Sequence, residues 1–175
     1  MYQGIRIAGF GGQGVISAGI LLAQAGVEDK KNASWLPSYG PEMRGGTANC
    51  SVVVDDEEVA SPIIAVPDTL IAMNTPSLLK FEDKVKSGGL IIVNSSLVDE
   101  KVKRTDVTAI YVPANELAHE AGNVRTANIV VLGAYMKYSK LFPREVMLNT
   151  IEKVFHAKPK VIPANQKAFD IGYNL

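Results

Sequence analysis

Cysteine is nearly absent from this 175-residue chain, and Cys50 is the only one. A single thiol closes no internal disulfide and cannot supply the four thiolates of an iron–sulfur cluster. The electron carriers of any redox reaction must therefore sit on other chains. Charge of one sign is missing too, since 18 basic residues balance 18 acidic ones. No net field is available to hold nucleic acid or an acidic membrane. Zero net charge combined with 47% apolar residues favours association, which suits a subunit better than a free monomer. No apolar run approaches the length of a membrane span. Met1 to Arg6 lacks the basic stretch and apolar core of a signal peptide, so the chain reads as cytoplasmic.

What is present is an alternation of short apolar runs and helical periods. Ile5 to Ala8 reads as a buried strand ending in a glycine cluster, and Val15, Ala18, Leu22 and Ala25 mark a helix from Val15 to Val27. Ala33 to Leu36 reads as a second short strand stopped by Pro37. Ser38 to Gly46 is a polar, glycine-rich loop. Thr47 to Val54 alternates as an exposed edge strand would, and Asp55 to Glu58 forms a turn. Thr69 to Met73 and Leu90 to Val93 flank a helix from Pro76 to Val85, ended by Gly88 and Gly89; such a unit implies parallel strands with a right-handed crossover. Val107 to Val112 is a further strand. Helices follow over Asn115 to Ala121, Thr126 to Ser139, Pro143 to Phe155 and Pro163 to Gly172. No linker splits the chain. The pattern predicts a single α/β domain over residues 1–175: a Rossmann-like open, mostly parallel sheet flanked by helices, with a helical carboxyl-terminal part.

Gly9-Phe10-Gly11-Gly12-Gln13-Gly14 satisfies G-x-G-x-x-G between a strand and a helix. Such glycines permit a tight turn and let a ligand approach amides at the positive helix end. A dinucleotide site also needs an acid about 20 positions on, at the end of strand 2. That region reads Asn32-Ala33-Ser34-Trp35-Leu36-Pro37, and Asp29 lies before the strand, at its wrong end. Four readings stay open for Gly9, Gly11, Gly12, Gln13 and Gly14: helix–sheet packing, a loop that meets a partner chain, a seat for a phosphate-bearing group such as the nucleotide end of coenzyme A, or, against the missing acid, a dinucleotide.

The second loop, Ser38-Tyr39-Gly40-Pro41-Glu42-Met43-Arg44-Gly45-Gly46, fixes an irregular path and offers hydroxyl, carboxylate and guanidinium groups. At the carboxyl edge of a doubly wound sheet such a loop meets ligands or partners. Together with G-F-G-G-Q-G at Gly9 to Gly14 and Asn123-Val124-Arg125-Thr126-Ala127-Asn128 leading to Leu132-Gly133, it resembles the gamma subunits of 2-oxoacid:ferredoxin oxidoreductases over essentially the whole chain.

The resemblance implies a complex that decarboxylates a 2-oxoacid on thiamine diphosphate and Mg2+. Electrons pass through [4Fe–4S] clusters to ferredoxin, and the acyl group passes to coenzyme A. The cofactors would lie on alpha, beta and delta-type (ferredoxin-like) partners, with none bound and no catalytic residue held by this chain alone. No G-D-G followed by a paired Asn is found here, in keeping with that division. On the same resemblance 2-oxoglutarate is the expected substrate, with branched-chain 2-oxoacids or pyruvate as alternatives. Ser38, Tyr39, Gly40, Pro41, Glu42, Arg44, Gly45 and Gly46 are expected to form a subunit interface or to contact coenzyme A.

Asn123 and Asn128 are expected as structural support. A buried amide such as Asn128 must be satisfied, because leaving it unpaired costs about 1–3 kcal/mol. It either caps the glycine loop or serves backbone in its own helix. His119 and His156 are read as having no catalytic or metal-binding role. Lys101 to Arg104 reads as a solvated turn without the aromatic interleaving of a nucleic-acid patch. A free-standing phosphate- or dinucleotide-binding protein is the competing function class; it lacks the strand-2 acid and any general base beside a nucleophile.

Overall fold

The chain was analysed as a computed structural model, which describes residues 1–39 and 47–175. Among these residues six strands form one sheet: β1 (Tyr2–Phe10), β2 (Asn32–Tyr39), β3 (Thr47–Asp55), β4 (Thr69–Ala72), β5 (Leu90–Asn94) and β6 (Thr108–Val112). Their order across the sheet is β2-β3-β1-β4-β5-β6. The β1–β4, β4–β5 and β5–β6 pairs are parallel, whereas β3 runs antiparallel to both β1 and β2. Every strand except β3 therefore points the same way, which is the expected Rossmann-like, mostly parallel sheet with one reversed strand inserted.

Two sequence expectations are corrected here. Thr47–Asp55 is an interior strand, not an exposed edge. Val52, Val53 and Val54 are all fully buried, so both of its faces are covered. Of the polar positions that mimic a solvated face, Ser51 is buried and Asn49 half-buried. Nor does Pro37 stop strand 2, which continues to Tyr39. β2 is the true edge, and an edge strand tolerates a residue with no N–H to donate.

Period-two alternation sorts the strand residues to two sides. Ile5, Ile7, Cys50, Val52, Ile71 and Ile92 face one layer, and Ala8, Leu70, Ala72, Ile91 and Val93 face the other. The first layer contains α1 (Val15–Glu28), which lies on β2 and β3. The second side is covered over β1 and β4 by α2 (Thr75–Phe81). Asn74 caps α2 by accepting the Ser77 N–H at 2.9 Å, with Pro76 in the first turn. Its expected last turn is a separate 3-10 turn, Glu82–Lys84.

The remaining helices are α3 (Ala114–Glu120), α4 (Ala127–Ser139), α5 (Arg144–Val154) and α6 (Ile162–Tyr173). His119 and Glu120 are the last residues of α3. α4 is buried continuously from Ala127 to Met136. A helix apolar all round belongs in the middle of a structure, and α4 sits between the sheet, α1 and α6.

Two glycines set how closely α4 and α6 approach. A Cβ on Gly172 would collide with the carbonyl of Val130, and one on Gly133 with the carbonyl of Phe169 and, at 2.8 Å, the amide of Tyr173. The helices therefore touch backbone to backbone. Gly172→Ala is expected to lower unfolding free energy by about 3 kcal/mol, because no flexible side chain can give way. Urea unfolding measures this, and a loss under about 0.5 kcal/mol, within the range of a neutral surface change, would show that the two backbones are not in contact.

Candidate functional site at the carboxyl edge of the sheet

Gly9 to Gly14 joins the end of β1 to the start of α1. Gly14 occupies the N-cap position with φ 74°, the left-handed region that favours glycine. A Cβ there would also strike the side chain of Asn128. Gly9 is crowded as well: a Cβ would lie 2.9 Å from Met73 Cβ and from Val15 Cγ2. Gly12 differs. Its φ is 92°, but the space where a Cβ would go is open. The loop thus uses Gly9 and Gly14 for packing, and Gly12 only for its backbone conformation.

Gln13 ties the loop down. Its Oε1 accepts the Phe10 N–H at 2.6 Å, and its Nε2 donates to the Met73 carbonyl at 3.3 Å. Asn128, at the start of α4 and 7% exposed, closes the loop from within the core. Its Nδ2 donates to the Gly14 carbonyl at 3.0 Å, while its Oδ1 accepts the Ile129 N–H at 3.0 Å. The two alternatives posed for Asn128 are thus both realised, one by each end of its amide. Asn123 acts one step earlier. Its Oδ1 accepts the Arg125 N–H at 2.9 Å and its carbonyl accepts Thr126 Oγ1–H at 2.7 Å, fixing the 3-10 turn Val124–Thr126 that launches α4.

The end of β2 and the start of β3 lie at the same edge. Ala48 is the register partner of Gly9 on one side and of Tyr39 on the other. Ser38 is exposed in β2, and Tyr39 ends that strand. Gly40, Pro41, Glu42, Arg44, Gly45 and Gly46 lie outside the described residues.

Beside the glycine loop opens a cleft of about 640 Å3. Gly12, Gly14, Asn123 and Asn128 line it, with Arg125 and Lys158 as exposed cations and Ile20 and Phe155 as apolar wall. The amino-terminal end of a 14-residue helix and two cations suit an anionic group. Arg125 was visible in the sequence only as a member of the third motif, and Lys158 was not singled out at all. Lys158 precedes the 3-10 turn Pro159–Val161, and only tertiary packing carries it to this edge.

The sheet order bears on the dinucleotide reading. β3 separates β2 from β1, so the end of β2 lies two strand spacings, about 10 Å, from the glycine loop. β2 carries no carboxylate from Asn32 to Tyr39, and Asp29 sits at the carboxyl end of α1, 3.9 Å from Lys31, at the opposite edge.

The remaining titratable groups form no reacting constellation among the described residues. Cys50 is fully buried, with its Sγ 3.5 Å from the Val15 carbonyl, and burial pushes the thiol up to about 12. It does not suit a cluster ligand, which must be a thiolate. Glu116 and His119 share one face of α3 at i, i+3 spacing, but the Glu116 carboxylate accepts a hydrogen bond from Ser96 Oγ. His156 places Nδ1 3.0 Å from the Lys153 carbonyl on an exposed turn. No group of three or more His, Cys, Asp or Glu side chains capable of holding a metal ion occurs among the described residues. None of the described helices is long and apolar enough to cross a membrane.

Fold and site together define a Rossmann-like α/β domain in which the glycine loop and the turn that launches α4 meet at one sheet edge. Residues 4–175 match the family model described as pyruvate ferredoxin/flavodoxin oxidoreductase, and the chain belongs to that family. Its likeness to a gamma-type chain runs end to end. It is 36% identical to the 2-oxoglutarate synthase subunit KorC of Methanocaldococcus jannaschii, covering 100% of this chain and 94% of that protein. The crystal structure of the keto/oxoacid ferredoxin oxidoreductase gamma subunit from Geobacter sulfurreducens superposes with a TM-score of 0.83 at 31% identity, covering 98% and 96% of the two chains.

Identity reaches 42% with the ketoisovalerate oxidoreductase subunit VorA of Methanothermobacter marburgensis, which matches 96% of this chain. The chain spans only 35% of that protein's length. Among the relatives, names refer to 2-oxoglutarate, ketoisovalerate and indolepyruvate, so 2-oxoglutarate is not singled out.

Two outcomes follow for the isolated chain. Titration with NAD, NADP or FAD should give no saturable binding at micromolar concentrations; tight binding abolished by Gly11→Val would restore a dehydrogenase reading. Cys50 should resist alkylation in the native protein at pH 8, where a thiol of such high pKa is thiolate on the order of one part in ten thousand. It should react promptly in urea. Rapid native labelling would contradict its burial against α1.

Proposed function

We propose that this chain is the gamma subunit of a multi-subunit 2-oxoacid:ferredoxin oxidoreductase, non-catalytic alone, which acts with alpha, beta and delta-type partners in the cytoplasm. The observation that carries the reading is end-to-end likeness to gamma-type chains in a protein with one buried cysteine. Thiamine diphosphate with Mg2+ and the [4Fe–4S] clusters of the partners supply decarboxylation and electron transfer to ferredoxin. Residues of this chain present a shaped edge to them. The substrate we take is 2-oxoglutarate, a choice supported by the M. jannaschii relative, a chain of matching length named for that acid.

In this reading the edge that bears the glycine loop faces the catalytic partners. Arg125 and Lys158 line the cleft there and suit the phosphates of the nucleotide end of coenzyme A, in a geometry where charge-assisted bonds are the strong ones. A neighbouring structure, the 2-oxoglutarate:ferredoxin oxidoreductase of Magnetococcus marinus, is described with 2-oxoglutarate, coenzyme A and succinyl-CoA bound; it matches 99% of this chain with a TM-score of 0.86 at 26% identity. The Ser38 to Gly46 segment belongs to the same docking edge, with Tyr39 and Arg44 of the residue types that dominate interface energetics.

The purified chain is expected to show no 2-oxoacid-dependent reduction of a viologen dye with thiamine diphosphate, Mg2+ and coenzyme A present. Co-expression with its partners should restore turnover. In that complex Arg44→Ala should weaken assembly or coenzyme A use by about 2 kcal/mol, and Arg125→Ala should raise the Michaelis constant for coenzyme A. Turnover by the isolated chain would overturn the proposal.

A further inference from the structure

The two halves of the sheet's second face are covered very differently. One row of register partners runs Leu36–Ser51–Arg6–Leu70–Ile91, all with side chains on that face. Leu70, Ile91 and Ser51 are buried in this row, whereas Arg6 is partly exposed and Leu36, on the edge strand, is 41% exposed. Residues 61–67 cross this half. There Ile64 packs down over Gly4, while Ile63 is 71% and Val66 58% exposed.

Arg6 sits in this row between Ser51 and Leu70, and its charge has no counterpart among the described residues. Its Nη2 donates to the Ile64 carbonyl at 2.8 Å, and its guanidinium lies 4.9 Å from the centre of the Phe81 ring. Its Nε is buried without a partner, and no carboxylate pairs with it among the described residues. Burial lowers the pKa of the group, the direction expected of an uncompensated cation. Lys80 and Lys84 add two more cations, 5.3 and 5.5 Å from the centre of the same ring and likewise unpaired among the described residues.

The acids nearby are engaged elsewhere. Glu82 Oε1 accepts the backbone N–H groups of Lys103 and Arg104, and Asp68 accepts the Gly4 N–H at 2.8 Å. A partly buried guanidinium with idle N–H groups costs free energy until a carboxylate reaches it. The apolar exposure of Leu36, Ile63 and Val66 around it resembles an interface core more than a free surface.

We propose that this half-face, centred on Arg6, docks a partner subunit of the complex through a segment that sets a carboxylate on the guanidinium and apolar side chains on the exposed Leu36 and Ile63. The inference rests on the reading of the chain as one subunit of a complex, and adds a second contact surface on a sheet face rather than at the carboxyl edge.

The test compares wild type, Arg6→Met and Leu36→Asp. Each free chain is melted, and each is titrated against the partner complex purified without this subunit, at low and high salt. Arg6→Met should melt within a few degrees of wild type yet bind about tenfold more weakly, with most of the salt dependence gone. Leu36→Asp, an exposed edge change, should keep the fold and lose comparable affinity; it carries the test should Arg6→Met fail to fold. Unchanged affinity in Leu36→Asp and in a folded Arg6→Met would overturn the proposal while leaving the subunit reading intact. So would Arg6-dependent self-association of the free chain, which would make a second copy the occupant, or Arg6-dependent binding of inorganic phosphate with unchanged assembly. Failure of wild type to bind any partner would overturn the subunit reading, and this inference with it.

Discussion

Asn128 is the hinge between the core of this domain and its edge. A primary amide at the start of a wholly buried helix has nowhere to find water, so both of its ends must be used inside. One end satisfies its own helix, and the other reaches the Gly14 carbonyl, across 114 residues of sequence. The glycine loop is therefore positioned by α4 as much as by β1 and α1. α4 is positioned in turn by backbone contact with α6, which the absence of side chains at Gly133 and Gly172 permits. A chain of close contacts thus runs from the carboxyl-terminal helix through the centre to the loop. Rigid packing of this kind is what fixes the position of the loop at the sheet edge.

That arrangement changes what the glycine motif means. In a dinucleotide-binding domain the third glycine allows helix and strand to pack while the loop stays open to a pyrophosphate. Here the Cβ position of Gly14 is filled by Asn128, and Gln13 straps the loop to Met73. Gly12 keeps open space above it. The inserted antiparallel strand completes the departure, because it moves the end of β2 away from the place where a ribose would need an acid. One short motif, embedded in a different strand order, loses one half of its usual site.

Much of this was legible in the sequence, and what was missed has identifiable causes. Helices and strands could be read from periodicity because α1 and α5 each bury one face and β4 and β5 are short runs buried on both. The place of β3 was not legible. Polar residues at Asn49 and Ser51 imitate an edge, and strand order is a long-range property that local alternation does not encode. Pro37 was misread for a related reason: a proline ends a strand only where its missing N–H would have been used, and that depends on which strand is the edge. At the site, the asparagines and glycines were visible as motif members, but Lys158 was not. Nothing local distinguishes a cleft lysine from a solvated one.

Arg6 shows why a face can matter as much as an edge. In a self-sufficient domain, evolution has cheap ways to settle a partly buried guanidinium: a carboxylate one strand away at Ser51, or an apolar residue in its place. Neither is present, although this chain carries as many acids as bases and pairs several of them on its surface, as in Lys31–Asp56 and Arg104–Asp106. Exposed pairs of that sort contribute little to stability, so their presence shows that acids are available while the partly buried Arg6 pairs with none among the described residues. A charge left uncompensated beside exposed Leu36 and Ile63 is hard to explain as part of a finished surface. It is readily explained as half of a pair whose other member belongs to another chain, because the desolvation already incurred in the free subunit lowers what association must still supply.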